Sequence, residues 1–347
     1  MKITKRTVTI PQGEVSLFRI ENTSGASVEL SSLGAGITSV KVPDKFGNIG
    51  EVALGYADIE EYMGDGPCMG KIPGRYANRI ANGHLEVEGK TYQLSINNGP
   101  NSLHGGPNGF QNHIWQPSLI PNGVRFTYVS ESGEENYPGT LTVTADYTWS
   151  EDNVLTLVLK ATTEAPTVVN LTNHAYFNLE GDESGTVLTH KLQMKASHYL
   201  PTDKTQIPDG TLAPVADTPM DFTAPKEIGI DINADFEPLK IGKGYDHCWA
   251  IDNWEKGKLM EGVVMLAAPS SGRVLTINST QPGVQVYTGN WLNGTPNRSG
   301  GTYNDYDGVA IEMQGFPDAP NKPQFPSQEI KPGETYQETI KFAFTVE

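Results

Sequence analysis

Period-two alternation is the property of this chain that most restricts its fold. In TLTVTADYTW, Leu141, Val143, Ala145, Tyr147 and Trp149 fall on one face and Thr or Asp on the other. NVLTLVLKATT repeats the pattern with Leu155, Leu157 and Leu159. Successive side chains of a strand point to opposite faces of a sheet, so alternation of this kind marks a half-buried strand. HLEVEGKTYQL reads as a hairpin about Gly89-Lys90, and DKFGNIGEVALGY as another with Gly47-Asn48 at the turn. GRVLTINSTQPGVQVYTGNW supplies two strands separated by Gln281-Pro282-Gly283, and ETYQETIKFAFTVE a last one. Helical pattern is scarce. ADIEEYMGDG has room for about two turns, and no segment sustains a helical period or repeats another. The expectation is an all-β antiparallel sandwich or barrel.

Glycine (37) and proline (24) are spread along all 347 residues with no linker-like shift, so residues 1–347 read as a single domain. The net charge of −16 argues against nucleic acid and anionic membrane surfaces, both of which call for a basic patch. Two cysteines, Cys68 and Cys248, are too few for a disulfide framework and have no zinc-ligand spacing; they read as free thiols in a reducing compartment, with a single disulfide as the alternative. The opening MKITKRTVTIPQGEV lacks the apolar core of a signal peptide, and no apolar run is long enough to span a membrane. A cytoplasmic enzyme is expected, although an exported form stripped of its signal reads the same.

Polar clusters interrupt the strand pattern at five places. VVNLTNHAYFNLEG, from Val168 to Gly181, sets Asn170, Thr172, Asn173 and His174 where a buried strand ends. His174 reads either as a structural residue or as a proton donor whose ring the amides fix. PGRYANRIANG carries Arg75, Asn78 and Arg79, which fit surface ion pairs as well as a site. NNGPNSLHGGPNGF carries Asn101 and His104, and GKGYDHCWAI carries Asp246; both also fit turns. In DGVAIEMQGFPDAPN, Glu312 shares a face with Ala310 and Gln314, opposite Val309, Ile311 and Met313; a solvated face and a binding face both explain it. There is no nucleophile elbow, phosphate loop or paired-histidine metal motif. Planar polar groups with aromatics nearby (Tyr176, Phe177, Trp249) are the chemistry of a sugar site.

GRYANRIANG, NSLHGG, VNLTNHAYFNL, YDHC, TQPGVQVYTGNW and AIEMQGFPDAPN, in this order, resemble segments of the galactose mutarotase (aldose 1-epimerase) family. GEENYPGTLTVTADY and PGETYQETIKFAF also match, so the resemblance runs from Gly13 to the end. It implies a large antiparallel β-sandwich of the galactose mutarotase-like kind. It also implies interconversion of α and β anomers of free hexoses such as galactose and glucose, with no cofactor and no metal. Carried over residue by residue, it makes Glu312 the base and His174 the acid, with Asn78, Arg79, His104, Tyr176, Asp246 and Gln281 on the substrate. Tyr176 and Trp249 match less well than the others. Two departures, Gln324 in PQFP where many relatives have arginine and Cys248 after YDH where proline is common, leave the preferred hexose open. The expected partner is the free sugar, and the protein itself a monomer or homodimer.

Anomer exchange fits these groups. The C1 hydroxyl loses a proton, the ring oxygen O5 gains one, the C1–O5 bond opens to an aldehyde, and the ring closes on the other face. A carboxylate and an imidazolium suffice, and a neighbouring carboxylate is expected to raise the histidine above its ordinary ~6.5. Three rivals stand beside this. A hexose-6-phosphate 1-epimerase would converge cations such as Arg75 and Arg79 on a phosphate. A glycoside hydrolase would pair Glu312 with Asp246. A non-catalytic carbohydrate-binding module would keep Trp249 and Tyr176 without an acid–base pair.

Overall fold

The computed structural model describes residues 1–347, and its paired strands are all antiparallel. A nine-stranded sheet contains the alternating strands Leu141–Trp149 and Val154–Thr163, with the last strand, Tyr336–Val346, beside them and Arg273–Ser279 next. A six-stranded sheet runs in the order Tyr176–Phe177, Val309–Gln314, Gly283–Tyr287, Asp246–Ala250, His198–Tyr199 and Ala213–Pro214. The first five strands, Lys2–Ile10 to Ile49–Glu51, form a third sheet.

One apolar core of 59 buried residues draws on all three sheets, with Val28, Leu157 and Ile311 among its members. Phe177 of the six-stranded sheet meets Phe342 and Phe344 of the nine-stranded sheet at ring-centroid distances of 5.9 Å, which joins the layers of a sandwich. Leu141, Val143, Ala145, Tyr147 and Trp149 are all buried, as the alternation requires. Each fully buried large apolar side chain contributes roughly 1.5–3 kcal/mol, so the pattern that marks the strands also holds the layers together.

Local details depart from the sequence reading. Val87 pairs with Lys90, which puts Glu88-Gly89 rather than Gly89-Lys90 at the hairpin turn. Both turn residues have positive φ, 49° and 75°, the geometry of the tightest hairpin connection. ADIEEYMGDG forms one 3₁₀ turn, Ile59–Tyr62, instead of two helical turns. The α-helix, Glu237–Gly242, is six residues long and too short to leave a periodic trace. The two strands of GRVLTINSTQPGVQVYTGNW are both present but enter different sheets, so Gln281 sits in a crossover between layers.

The strand Val309–Gln314 is buried along its whole length, which removes the solvated-face reading of Glu312. Val309, Ile311 and Met313 belong to the core. On the other face the register aligns Tyr176 and Tyr287 with Ala310, Asp246 with Tyr287, and Gln285 with Glu312. Residues directly opposite in a ladder share a face, so Tyr176, Tyr287, Asp246, Gln285 and Glu312 stand together on the side turned away from the core.

Candidate active site

Of these, Tyr176, Tyr287, Asp246 and Glu312 floor a cleft of about 430 Å³, which is also lined by Asn78, Arg79, His104, His174 and Trp291. At its buried end His174 Nε2 lies 3.5 Å from Glu312 Oε1, with Glu312 only 2% exposed. Glu312 Oε2 is buried and has no protein partner. Burial pushes the Glu312 carboxyl well above the usual carboxylate range; Asp246 adds to the rise and Arg79 opposes it. Burial also pushes His174 down to about 4. The expected rise of the histidine is therefore overturned in the free protein, because desolvation of a fully enclosed imidazolium outweighs the nearby carboxylates. The two groups titrate as a pair, and the state with one proton between them is the one in which one member can give while the other takes.

Backbone clamps fix His174. Its N–H donates to the Lys71 carbonyl at 2.9 Å, and its own carbonyl accepts from the Gly70 N–H at 2.9 Å. Asn173 donates to the Gly70 carbonyl at 2.7 Å. Asn170 donates to the Ala77 carbonyl at 3.0 Å and accepts from the Gly315 N–H at 2.8 Å. The neighbouring amides thus hold the loop and do not bond the imidazole, in contrast to the expectation that they fix the ring. That loop carries His174 to the floor strand from a segment with only a two-residue strand, Thr167–Val168, before it.

His104 stacks edge-on against His174, with ring centroids 5.3 Å apart at 83°. Its Nδ1 accepts the Asn78 N–H at 3.1 Å, so the ring is neutral, with its proton on Nε2. Burial, helped by His174 and Arg79, holds its pKa well below the ordinary value. The glycine after it is required: at Gly105 φ is +82° and a Cβ would lie 1.9 Å from the Gly74 carbonyl oxygen.

A bonded polar wall faces this pair. Arg79 donates through Nε to Asn98 at 3.0 Å and through Nη2 to Gln206 at 2.6 Å. Gln206 and Gln285 donate to the two oxygens of Asp246 at 2.6 and 2.7 Å. Gln206, Gln285, Asn98, Tyr287 and Trp291 were not singled out from the sequence. Gln285 carried a readable signal, since VQV interrupts an apolar strand just as AIEM does at Glu312. Gln206 sits in an irregular loop with no pattern to mark it.

Other candidates fall outside the cleft. Gln281 does not line it: its amide donates to the Leu171 carbonyl at 3.0 Å and to Tyr336 at 3.1 Å, so it braces the His174 loop from behind. Phe177 and Trp249 face the core, and Trp249 donates to the Met220 carbonyl at 3.0 Å. The aromatic surfaces at the cleft are Tyr176, Tyr287 and the exposed Trp291. Gln324 donates to the Gly210 carbonyl at 2.8 Å, away from the cleft. Cys68 and Cys248 are buried and unbridged.

Arg75 is neither a surface ion pair nor a cleft residue. Its guanidinium is sealed among the carbonyls of Ser130, Pro138 and Gly139 and the hydroxyls of Ser130 and Thr167. Replacing it by methionine strips several buried acceptors of their donor at once, and each costs roughly 1–3 kcal/mol. Arg75→Met is expected to lower stability by about 3 kcal/mol or more in urea unfolding, with kcat per folded molecule little changed.

An antiparallel β-sandwich that brings a carboxyl and an imidazole together beside a wall of hydrogen-bonding side chains in one polar cleft has the architecture of the mutarotase-like class. The family model for aldose 1-epimerase matches residues 16–343. The chain is 40% identical to the galactose mutarotase of Sus scrofa over 335 residues, 96% of this chain and 95% of that protein. It is 38% identical to the aldose 1-epimerase of Escherichia coli over 341 residues, 97% of each. Among solved structures, the GalM/aldose epimerase homologue from C. elegans superposes with a TM-score of 0.87 at 30% identity, covering 99% of both chains. The chain belongs to the aldose 1-epimerase family.

Proposed function

We propose that this enzyme interconverts the α and β anomers of free hexoses such as galactose and glucose, with Glu312 and His174 as its proton-transfer pair. The observation that carries the reading is the 3.5 Å approach of these two groups at the buried end of the cleft. With His174 protonated, Glu312 takes the O1 proton as His174 delivers one to O5, and the C1–O5 bond opens. Rotation about C1–C2 and the reverse transfers close the ring on the other face. Each proton transfer contributes typically ~10²–10⁴-fold. The unpartnered Glu312 Oε2 suits a sugar hydroxyl, since a buried acceptor without a donor is costly. Neutral His104 presents Nε2–H as a donor, Arg79 adds positive charge, and Asn78 and Asp246, the latter held by Gln285, orient hydroxyls over Tyr176.

The phosphate reading loses its support once Arg75 is sealed in the interior, leaving Arg79 as the arginine at the cleft. The hydrolase reading needs a second working carboxylate, and both Asp246 oxygens are engaged by glutamines. Polarimetry of freshly dissolved α-galactose, α-glucose and glucose 6-phosphate tests the assignment. Acceleration of the two free sugars is expected, and a preference for the phosphate would overturn it. Dialysis against a strong chelator is expected to leave that rate unchanged, because the steps require only proton transfer; loss restored by a metal ion would refute it. We also place the enzyme in the cytoplasm as one domain, monomeric or homodimeric. Its unbridged cysteines agree with a reducing compartment, and no helix is long and apolar enough to cross a membrane.

A further inference from the structure

An ion pair is sealed beside the acid–base pair. The Lys71 ammonium meets the Asp65 carboxylate with both side chains almost wholly buried, 1% and 4% exposed, and also donates to the Tyr62 carbonyl. Asp65 accepts from the Tyr56 hydroxyl and the Met69 N–H, each at 2.8 Å. Neither residue lines the cleft. A buried ion pair is seldom worth more to stability than apolar residues of the same size, so its position needs another account.

The segment between the two charges supplies one. Gly70 and Lys71 hold the backbone of His174 on both sides at 2.9 Å. Gly66 and Pro67 form part of the cleft wall, and the Pro67 carbonyl accepts the Tyr176 hydroxyl at 3.0 Å. Closing Asp65 onto Lys71 therefore draws one short segment into a loop that touches both His174 and Tyr176. The enclosed charges are also poorly screened by salt. Asp65 favours a proton on His174 and Lys71 opposes it, with Asp65 acting the more strongly. The other groups facing His174 are Glu312, the neutral ring of His104, the Tyr176 phenol and, from its own strand, Asp246. Cys68, on the same segment as the ion pair, is kept a neutral thiol by burial.

We infer that Asp65 and Lys71 are positioning residues for the reaction: their sealed ion pair fixes the backbone that carries His174 and sets how tightly the His174–Glu312 pair holds its working proton. The inference rests on the mutarotase reading above. Asp65→Asn leaves Lys71 unopposed, which disfavours protons on the pair, so both limbs of the kcat–pH profile should move to lower pH by about one unit. Lys71→Met leaves the Asp65 anion with its two remaining donors, and both limbs should move up by a similar amount. Asp65→Glu and Lys71→Arg keep the charges and should keep the limbs in place.

The same variants are followed by NMR titration of the His174 ring, which is expected to shift with the same signs and needs no turnover. A purely structural pair predicts a lower Tm with limbs and ring titration unmoved, and that result overturns the inference. If wild type fails to accelerate mutarotation at any pH, the functional reading falls, and the ring titration alone then decides the inference. Should neither charge-deleting single variant fold, the Asp65→Asn, Lys71→Met double variant decides. Because Asp65 acts more strongly, its ring titration and limbs should move to lower pH, and wild-type positions would refute the pair's role.

Discussion

Glu312→Gln is expected to lower kcat for anomer exchange by about 10²–10⁴ while the hexose still binds. The amide keeps the shape of the side chain and its reach to His174 but cannot take the O1 proton. Stability should move the other way. The folded carboxyl holds its proton to a pH well above the ordinary 4.5, whereas the unfolded chain releases it near that value. The folded state therefore binds more protons than the unfolded state above pH 4.5, and stability falls as pH rises towards the folded pKa. Glu312→Gln removes this loss, so its Tm at neutral pH should equal or exceed that of wild type. Near-normal mutarotation by the folded variant would take Glu312 out of the mechanism. A collapse in both rate and Tm would point to a structural role instead.

His174→Asn should lower kcat comparably and abolish the basic limb of whatever activity remains. In wild type the profile is expected to be bell-shaped, bounded by the two macroscopic titrations of the Glu312–His174 pair. An amide can hydrogen-bond to O5 but cannot transfer a proton to it as an acid, so the descent at high pH has nothing left to report. Linkage supplies an independent readout. His174 sits at about 4 in the folded state against an ordinary 6.5. Below pH 6.5 the unfolded chain takes up a proton that the folded one refuses, so wild type loses stability as pH falls from 6.5 towards 4. The loss is at most on the order of 3 kcal/mol. The variant lacks this term and should lose less Tm over that interval. A well-folded variant that keeps the wild-type basic limb would transfer the acid role to His104.

The residues differ in how far they could be read in advance, for physical reasons. The strands around Leu141–Thr163 announce themselves because one face of each is buried and the other is not. Glu312 stands out because a carboxyl in an apolar strand is conspicuous. Gln285, directly opposite it, is just as anomalous, yet the family resemblance of TQPG places Gln281 on the substrate instead. Arg75 and Arg79 lie four residues apart in similar wording, yet one guanidinium enters the interior and the other the cleft. No local pattern encodes that divergence, because the acceptors for Arg75 come from Ser130, Pro138 and Gly139. The direction of the His174 titration was unreadable for the same reason. It depends on how completely distant segments enclose the ring, and sequence neighbours carry no measure of that.

The strand Val309–Gln314 puts packing and chemistry on alternate residues: Ile311 and Met313 enter the core, and Glu312 between them enters the cleft. A slip of one residue against its neighbours would exchange the two roles along the entire strand. It would drive a carboxyl into the apolar interior at a cost of several kcal/mol and leave the cleft floored with hydrocarbon. A misregistered chain would then be unstable as well as inactive, an easy target for chaperones and proteases rather than a long-lived counterfeit. Because the core and the floor of the cleft depend on the same alignment, a molecule that survives quality control is already one whose Glu312 faces the cleft.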